Sequence, residues 1–394
     1  MGVAPVDTAE LTESLESLLA ANHGVSDLIV AAGRPPQFEV NGELRAVTLG
    51  RFSGTLDANA TRVITDAILG DNAVARRTLE TSGAVDLAFV LATGLRLRAN
   101  VFRAKGGVSA VLRVPATTIP TLKSLKMPPL LDELPRVSNG MVLVTGATGT
   151  GKSTTVAAII ERINSTRAVH VVTLEDPIEF VHPHQVATIS QRELGTDFES
   201  FSTGLRAALR QAPKVILVGE MRDRDTVEIA LKAAETGHLL LSTFHTIDAG
   251  QTIERLVGMF GAAEQTLIRS RLAHVLRFVI GQRLVPKEGG GRVAALEIMG
   301  TSLRVRELIQ NGETHERTFY QVIADARHQG WQTFDQHLLE LYKSKQVSGE
   351  NARTYSSDQA RITQELDRIR TQSGEDTSGL APLQMATASP KNRR

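Results

Sequence analysis

The sequence predicts an α/β core, in which buried parallel strands alternate with helices, preceded by a small α+β domain. Three observations predict this. Residues 146–153 read GATGTGKS, a match to G-x-x-x-x-G-K-[ST], with the apolar run Met141 to Thr145 before it and a helical pattern over roughly Ser153 to Asn164 after it. Beyond it, Val169 to Leu174, Val215 to Val218 and Leu239 to Ser242 are near-continuous apolar runs, typical of strands buried on both faces of a parallel sheet. Ahead of it, shorter alternating runs are separated by turn signals, as antiparallel strands are.

At 394 residues the chain is long for one core, so two domains are expected. Leu11, Leu15, Leu18 and Leu19 recur at helical spacing within Ala9 to Asn22, and Gly24 is a stop signal. Short β-type runs follow at Leu28 to Val30 and Gln37 to Val40, the second turning through Asn41-Gly42 into Glu43 and onward. Asn59 to Leu69 reads as a helix. Val85 to Leu91, Leu95 to Phe102 and Val108 to Val114 read as antiparallel strands, with Gly94 and Gly106-Gly107 at the turns. This first domain covers 1–114. Residues 115–135 carry Pro115, Pro120, Pro128, Pro129 and Pro135, the composition of a stiff linker.

The core domain is expected over 136–370, with further helices at Phe201 to Arg210, Asp225 to Glu235, Ala249 to Met259 and Ala263 to Ile280. Gly289-Gly290-Gly291 reads as a hairpin tip, since no helix follows it. From Thr371 to Arg394 the Ser/Thr/Gly/Pro-rich composition predicts a disordered tail.

Lys plus Arg number 44 against 43 Asp plus Glu, a formal net charge of +1, so global charge makes no case for nucleic acid. The absence of cysteine excludes a thiol nucleophile, a disulfide framework and a Cys-based zinc site. No signal-peptide pattern opens the chain, and no apolar run approaches the roughly 20 residues that span a bilayer. A cytoplasmic protein without a membrane span is expected, meeting a membrane only through a partner.

The glycine-rich loop carries specific chemistry. The backbone of Gly146, Ala147, Thr148, Gly149, Thr150 and Gly151 can curl N–H groups around the phosphates of a nucleotide such as ATP. Lys152 can reach the β and γ oxygens, Ser153 can offer its hydroxyl to Mg²⁺, and Thr154 follows at the positive end of the helix. A carboxylate at a strand end is needed beside such a loop, to hold the metal or orient water, and Glu220 closes the run VILVGE. A second strand end supplies Glu175, Asp176 and Glu179, with Pro177 stopping the strand. Glu175 and Asp176 serve equally well as turn or ion-pair residues. His238 and His245 flank the run Leu239 to Phe244, where a histidine can sense the γ-phosphate, although one at a strand end is more often structural. His182 and His184 form H-x-H without a third ligand and read as solvated. Arg96, Arg98, Arg103 and Arg113 form a row on the first domain; such a row is usually a solvated face, yet an arginine supplied across a boundary can neutralise charge developing on a γ-phosphate.

Four blocks together resemble one family, the PilT-like secretion ATPases, hexameric motors of type IV pili. They are GATGTGKSTT (146–155), VVTLEDPIEFVH (171–182, similar to the family's Asp box, extending to Gln191-Arg192-Glu193), VILVGEMRD (215–223, its atypical Walker B with Gly219 in place of Asp) and AAETGHLLLSTFHT (233–246, its His box). Ser26-Asp27-Leu28, Asn100-Val101-Phe102-Arg103, Gly106 to Ser109 and Gln332 to Gln336 also match. The resemblance implies a RecA-like P-loop ATPase core behind a PAS-like domain, with Glu179 activating water, Glu220 as the Walker B acid at Mg²⁺, His238 and His245 as nucleotide sensors, and Arg98 and Arg113 reaching the phosphates. It also implies a homo-hexamer working on an inner-membrane pilus platform protein, alongside a paralogous pilus ATPase. The chain departs from the family at Leu28-Ile29, where a His is frequent, at Ala212-Pro213-Lys214, where Asp-Pro-Asp is usual, and at Ser302 to Ile309 (SLRVRELI), where retraction ATPases carry AIRNLIRE. Three readings follow: a motor for pilus retraction and twitching motility, an accessory, assembly or type II secretion ATPase, and a nucleotide-responsive structural subunit with little turnover. The absence of cysteine and the single small leading domain argue against assembly and type II secretion relatives, which usually carry a Cys-ligated zinc element and an additional N-terminal domain.

Overall fold

The computed structural model describes residues 8–22, 25–40, 43–114 and 119–372. They divide into two compact units: one runs to Ile119 and includes Pro177–Val181, and the other comprises Pro120–Asp176 and the chain from His182 onward. Gly24, the Asn41-Gly42 turn, Pro115 and the tail from 373 lie outside the described residues.

The first unit contains α1 (Thr8–Ala21), β1 (Val25–Val30), β2 (Gln37–Val40), β3 (Glu43–Ala46), α2 (Ala58–Leu69), α3 (Ala73–Ser82), β4 (Ala84–Val90), β5 (Arg96–Ala104) and β6 (Gly107–Arg113). Its six strands form an antiparallel sheet in the order β3-β2-β1-β6-β5-β4. Alternate residues, among them Leu28, Phe38, Leu97 and Leu112, point into a core closed by Leu11, Leu15 and Ile64 of the helices. The alternation seen in the sequence is therefore the alternation of the sheet's two faces. Helix α3 is new. It buries only Ala75 and Leu79, too short a stripe to give a helical signature, and it is held by its ends: Asn72 accepts from the amide of Ala75 at 2.9 Å, and Gly83 closes it in the left-handed region.

The second unit opens with a 3₁₀ helix, Pro129–Arg136, whose Leu131 and Leu134 join Leu122 in a core with Ile159 and Ile160. The segment from Pro120 to Pro135 thus packs into this unit. Then come β7 (Gly140–Thr145), α4 (Lys152–Thr166), β8 (His170–Glu175), β9 (Thr188–Glu193), α5 (Phe201–Ala208), β10 (Val215–Glu220), α6 (Arg224–Glu235), β11 (Leu239–Phe244), α7 (Ala249–Gly258), α8 (Ala262–Val275), β12 (Leu276–Pro286) and β13 (Arg292–Met299). Helices α9 (Leu303–Asn311), α10 (Phe319–Asp325), α11 (Phe334–Lys343), α12 (Gly349–Thr354) and α13 (Gln359–Gln372) complete it. The sheet order is β13-β12-β7-β11-β10-β8-β9, parallel except for the β12–β13 hairpin. Every residue of β7 is buried: Met141 and Leu143 face one core, Val142 and Val144 the other. Two covered faces explain why these strands read as unbroken apolar runs.

The structure corrects one boundary: the helix expected over Ala263 to Ile280 ends at Val275, and Leu276–Pro286 is a strand. A short apolar run fits a buried helix or a buried strand equally by periodicity, and pairing with β7 decides in favour of the strand. Polar edge strand β9 and strand β13 had no distinct signal. Gly289, Gly290 and Gly291 do form the β12–β13 tip, all three at positive φ, and α13 continues two residues beyond Arg370.

Candidate active site

Strand β7 ends at Thr145 and hands the chain to the phosphate loop. Gly146, Gly149 and Gly151 take φ of 149°, 79° and 83°, a backbone that side-chain-bearing residues rarely adopt. Thr150 stiffens the bend by donating from its hydroxyl to the carbonyl of Ala147 at 2.9 Å. Lys152 is buried, and its Nζ donates to the carbonyls of Gly146 and Ala147, both at 2.9 Å. The ammonium is thus already curled over the loop's mouth where phosphate oxygens bind. Ser153 and Thr154 stand half-buried in the first turn of α4, whose N-terminal amides face the same place.

Parallel pairing brings the ends of β7, β10 and β11 to one edge: Thr145 is level with Phe244, and Thr243 with Glu220. Between Val218 and Glu220 the β10–β11 register slips, so that Gly219 is an extra residue in β10, a bulge that re-aims Glu220. The hydroxyls of Ser242 and Thr243 donate to the carbonyls of Val218 and Gly219, at 2.7 and 2.6 Å, and pin it. A Cβ on Gly219 would stand 3.1 Å from the Leu174 carbonyl, so a side chain there would press that carbonyl back by a few tenths of an ångström.

Glu220, only 14% exposed, accepts from Arg222 Nε at 2.6 Å and lies 3.9 Å from His245 Nε2. On its other side the His245 ring meets the Thr148 hydroxyl at 3.4 Å. Partial burial, followed by the Lys152 ammonium, holds the His245 pKa below its ordinary value against the opposing pull of Glu220. The structure therefore joins loop, Glu220 and His245 in one cluster that would feel charge arriving at the phosphates.

Two expectations change. His238 precedes β11 and so stands at the opposite end of that strand, about 23 Å from His245 at some 3.3 Å per residue. Its Nδ1 lies 3.0 Å from the Ala233 carbonyl, and within one chain it does not join the phosphate loop. His182 is not solvated: it is buried 3.3 Å from Glu161, and burial lowers its pKa despite that carboxylate. His184 is exposed, and its Nδ1 accepts from the Ile189 amide. Among the described residues no group of three or more acidic or histidine side chains could hold a metal by itself. Glu175 accepts from the Thr173 hydroxyl at 2.6 Å and from Gln191 Nε2 at 3.0 Å, the turn-bracing option.

Glu179 belongs to the segment grouped with the first unit, as do Arg98 and Arg113. Those arginines are directly opposite each other on β5 and β6. Arg98 pairs with Asp86 at 3.3 Å, and the largely exposed Arg113 pairs at 3.0 Å with the buried Asp27. Sequence reasoning missed Gln282, which is buried beside the loop; a lone amide inside the apolar run Val279 to Val285 is the signal that could have found it.

A phosphate loop on a parallel sheet, with an acid and a histidine at neighbouring strand ends, defines the phosphate-loop nucleoside triphosphatases as the class. The family model described as "Type II/IV secretion system protein" matches residues 37–343, and the chain belongs to that family. It is 40% identical over 344 residues to the Pseudomonas aeruginosa type IV pilus retraction ATPase PilT, covering 87% of this chain and 97% of that one. It is 37% identical over 384 residues to the type IV pilus ATPase PilU of the same organism, covering 95% and 97%. The solved structure of the pilus retraction motor PilT with bound ADP aligns at a TM-score of 0.79 and 39% identity, over 92% of this chain and 100% of that chain. The Legionella pneumophila ATPase DotB aligns at 0.75 and 29%, over 90% and 97%. No helix among the described residues is long and apolar enough to cross a membrane.

Proposed function

We propose that the chain is an ATP-hydrolysing motor that drives type IV pilus retraction and twitching motility. The observation that carries this reading is near end-to-end similarity to a PilT over a chain whose phosphate loop, Lys152 and Glu220–His245 cluster are complete. Type II secretion relatives fit less well: one from Pseudomonas aeruginosa is 45% identical, but over only 40% of this chain and 29% of its own length.

In this reading Gly146 to Thr154 bind the polyphosphate, Glu179 accepts the proton of the attacking water, and Arg98 and Arg113 meet charge developing on the γ-phosphate. Ser153 and Glu220 offer hard oxygen donors suited to Mg²⁺. A closed ring, here a hexamer, is expected, because repeated head-to-tail contacts either close or grow into filaments. The ring would act from the cytoplasmic side on an inner-membrane platform protein.

A second reading, an accessory pilus ATPase beside a paralogue, is favoured by two observations: the PilU alignment covers more of the chain than the PilT alignment, and residues 302–309 at the start of α9 read SLRVRELI, unlike the AIRNLIRE of retraction ATPases. Deleting the gene and counting pili separates the two. Excess pili without twitching supports retraction, and unchanged pilus number with weakened twitching moves the chain to the accessory role. A purified chain with no ATPase activity would leave only a structural subunit.

A further inference from the structure

We propose that Gln282, on β12, is the positioning residue of the phosphate loop, holding the loop's entry into α4 in the shape that receives a polyphosphate. The inference rests on the nucleotide-binding reading above and goes beyond it in naming what holds the loop before nucleotide arrives.

Gln282 is 2% exposed and uses both ends of its amide on the loop segment. Its Oε1 accepts from the Thr155 hydroxyl at 2.7 Å, and its Nε2 donates to the Thr150 carbonyl at 2.7 Å. Those partners bracket Gly151, Lys152, Ser153 and Thr154, residues that bind the polyphosphate in the proposed reading. The main chain of Gln282 is equally close. Gly281 is level with Thr145, so Gln282 stands where β7 gives way to the loop. A Cβ on Gly146 would lie 2.4 Å from the Gln282 carbonyl, and one on Gly151 would lie 3.1 Å from Nε2. Two of the loop's glycines are therefore fitted to Gln282 as well as to their positive φ.

A buried amide with both ends paired leaves two partners without it when it is removed, the buried Thr155 hydroxyl and the half-buried Thr150 carbonyl. The loop would then sample other shapes, and nucleotide binding would have to select the competent one. That loss falls alike on bound nucleotide and on the transition state, so it raises KM while leaving kcat nearly constant.

The test uses the full chain, with ADP affinity measured by calorimetry and ATP turnover by steady-state kinetics. For Gln282→Ala the Kd for ADP and the KM for ATP should both rise about tenfold, with kcat within about threefold of the parent. Thr155→Val, which removes one of the two bonds, should give a smaller rise, and the double variant should be no worse than Gln282→Ala alone, since the two side chains act as a unit. A lower melting temperature with unchanged ADP affinity and KM would overturn the proposal and make Gln282 a packing residue. Should Gln282→Ala not fold, Thr155→Val decides: parental Kd and KM in that variant would refute the positioning role. A parent chain that binds no ADP would instead remove the nucleotide reading itself.

Discussion

The middle of the seven-stranded sheet and its β12–β13 margin are made from similar apolar runs, yet they place their polar groups differently. In the middle, polar chemistry sits where strands stop: Lys152 after β7, Glu220 at the end of β10 and His245 after β11. At the margin it sits inside the fold: Gln282 and Glu297 on the hairpin, and His337 on the helix packed against it, are all buried. Groups at strand ends meet the nucleotide in the proposed reading; groups in the margin are packed within the protein. Substitutions in the middle should therefore change turnover, and substitutions in the margin should change affinity or stability.

The largest effect is expected at Lys152. Lys152→Ala removes the ammonium that caps the loop, and ATP turnover should fall to background while the circular dichroism spectrum and melting temperature stay near the parent's. Undiminished turnover would erase the distinction between the two regions. Glu179→Gln comes next: it keeps the shape but loses the proposed proton acceptor, so turnover should drop at least about a hundredfold with ATP still bound. Equal loss of ATP binding would make Glu179 structural.

Arg113→Ala should lower turnover by about tenfold and ATP affinity far less, the sign of a group that acts on developing charge. The variant also strips a partner from buried Asp27, so Arg98→Ala, whose partner Asp86 is exposed, is the cleaner companion. A fall confined to Arg113→Ala, together with a lower melting temperature, would assign the effect to Asp27 instead of the phosphates.

The same contrast explains what the sequence shows and what it hides. Phosphate binding prescribes glycines, a lysine and a hydroxyl at fixed spacing, so the loop is legible from eight residues, and the strand ends around it follow from where apolar runs stop. Glu220 could be named, but the bulge that aims it could not, because Gly219 is explained by the carbonyl of Leu174, 45 positions earlier. Flanking a strand does not say which of His238 and His245 lies at the phosphate-loop end; strand direction decides that. Gln282 bonds to residues 127 and 132 positions away, and no local pattern records such a meeting. The α8–β12 boundary was hidden for the same reason, since pairing with β7 and β13 makes Leu276–Pro286 a strand.

The smallest effect on turnover is expected at Glu297 and His337, where the margin should reveal itself through pH. Burial, helped by nearby Asp248 and opposed by the Ala249 amide and Arg283, pushes the Glu297 carboxyl up to about 7 from an ordinary 4.5. Burial takes His337 down to about 4 from an ordinary 6.5, consistent with a neutral ring whose Nδ1 accepts from the Leu296 amide at 2.9 Å. Between pH 4.5 and 7 the folded Glu297 keeps a proton that the unfolded chain releases, so its contribution to stability falls as pH rises. Between pH 4 and 6.5 the unfolded His337 holds a proton that the folded one refuses, so its contribution rises with pH. Over the shared window from 4.5 to 6.5 the two slopes, each at most about 1.4 kcal/mol per pH unit, oppose each other and cancel. Glu297→Gln should therefore gain stability relative to the parent as pH rises through this window, and His337→Gln should lose it. Urea melts of both variants and the double variant between pH 4.5 and 6.5 test this. Parallel pH profiles for all four proteins would show that the buried pair does not titrate as its burial requires, and the contrast between margin and middle would then rest on Gln282 alone.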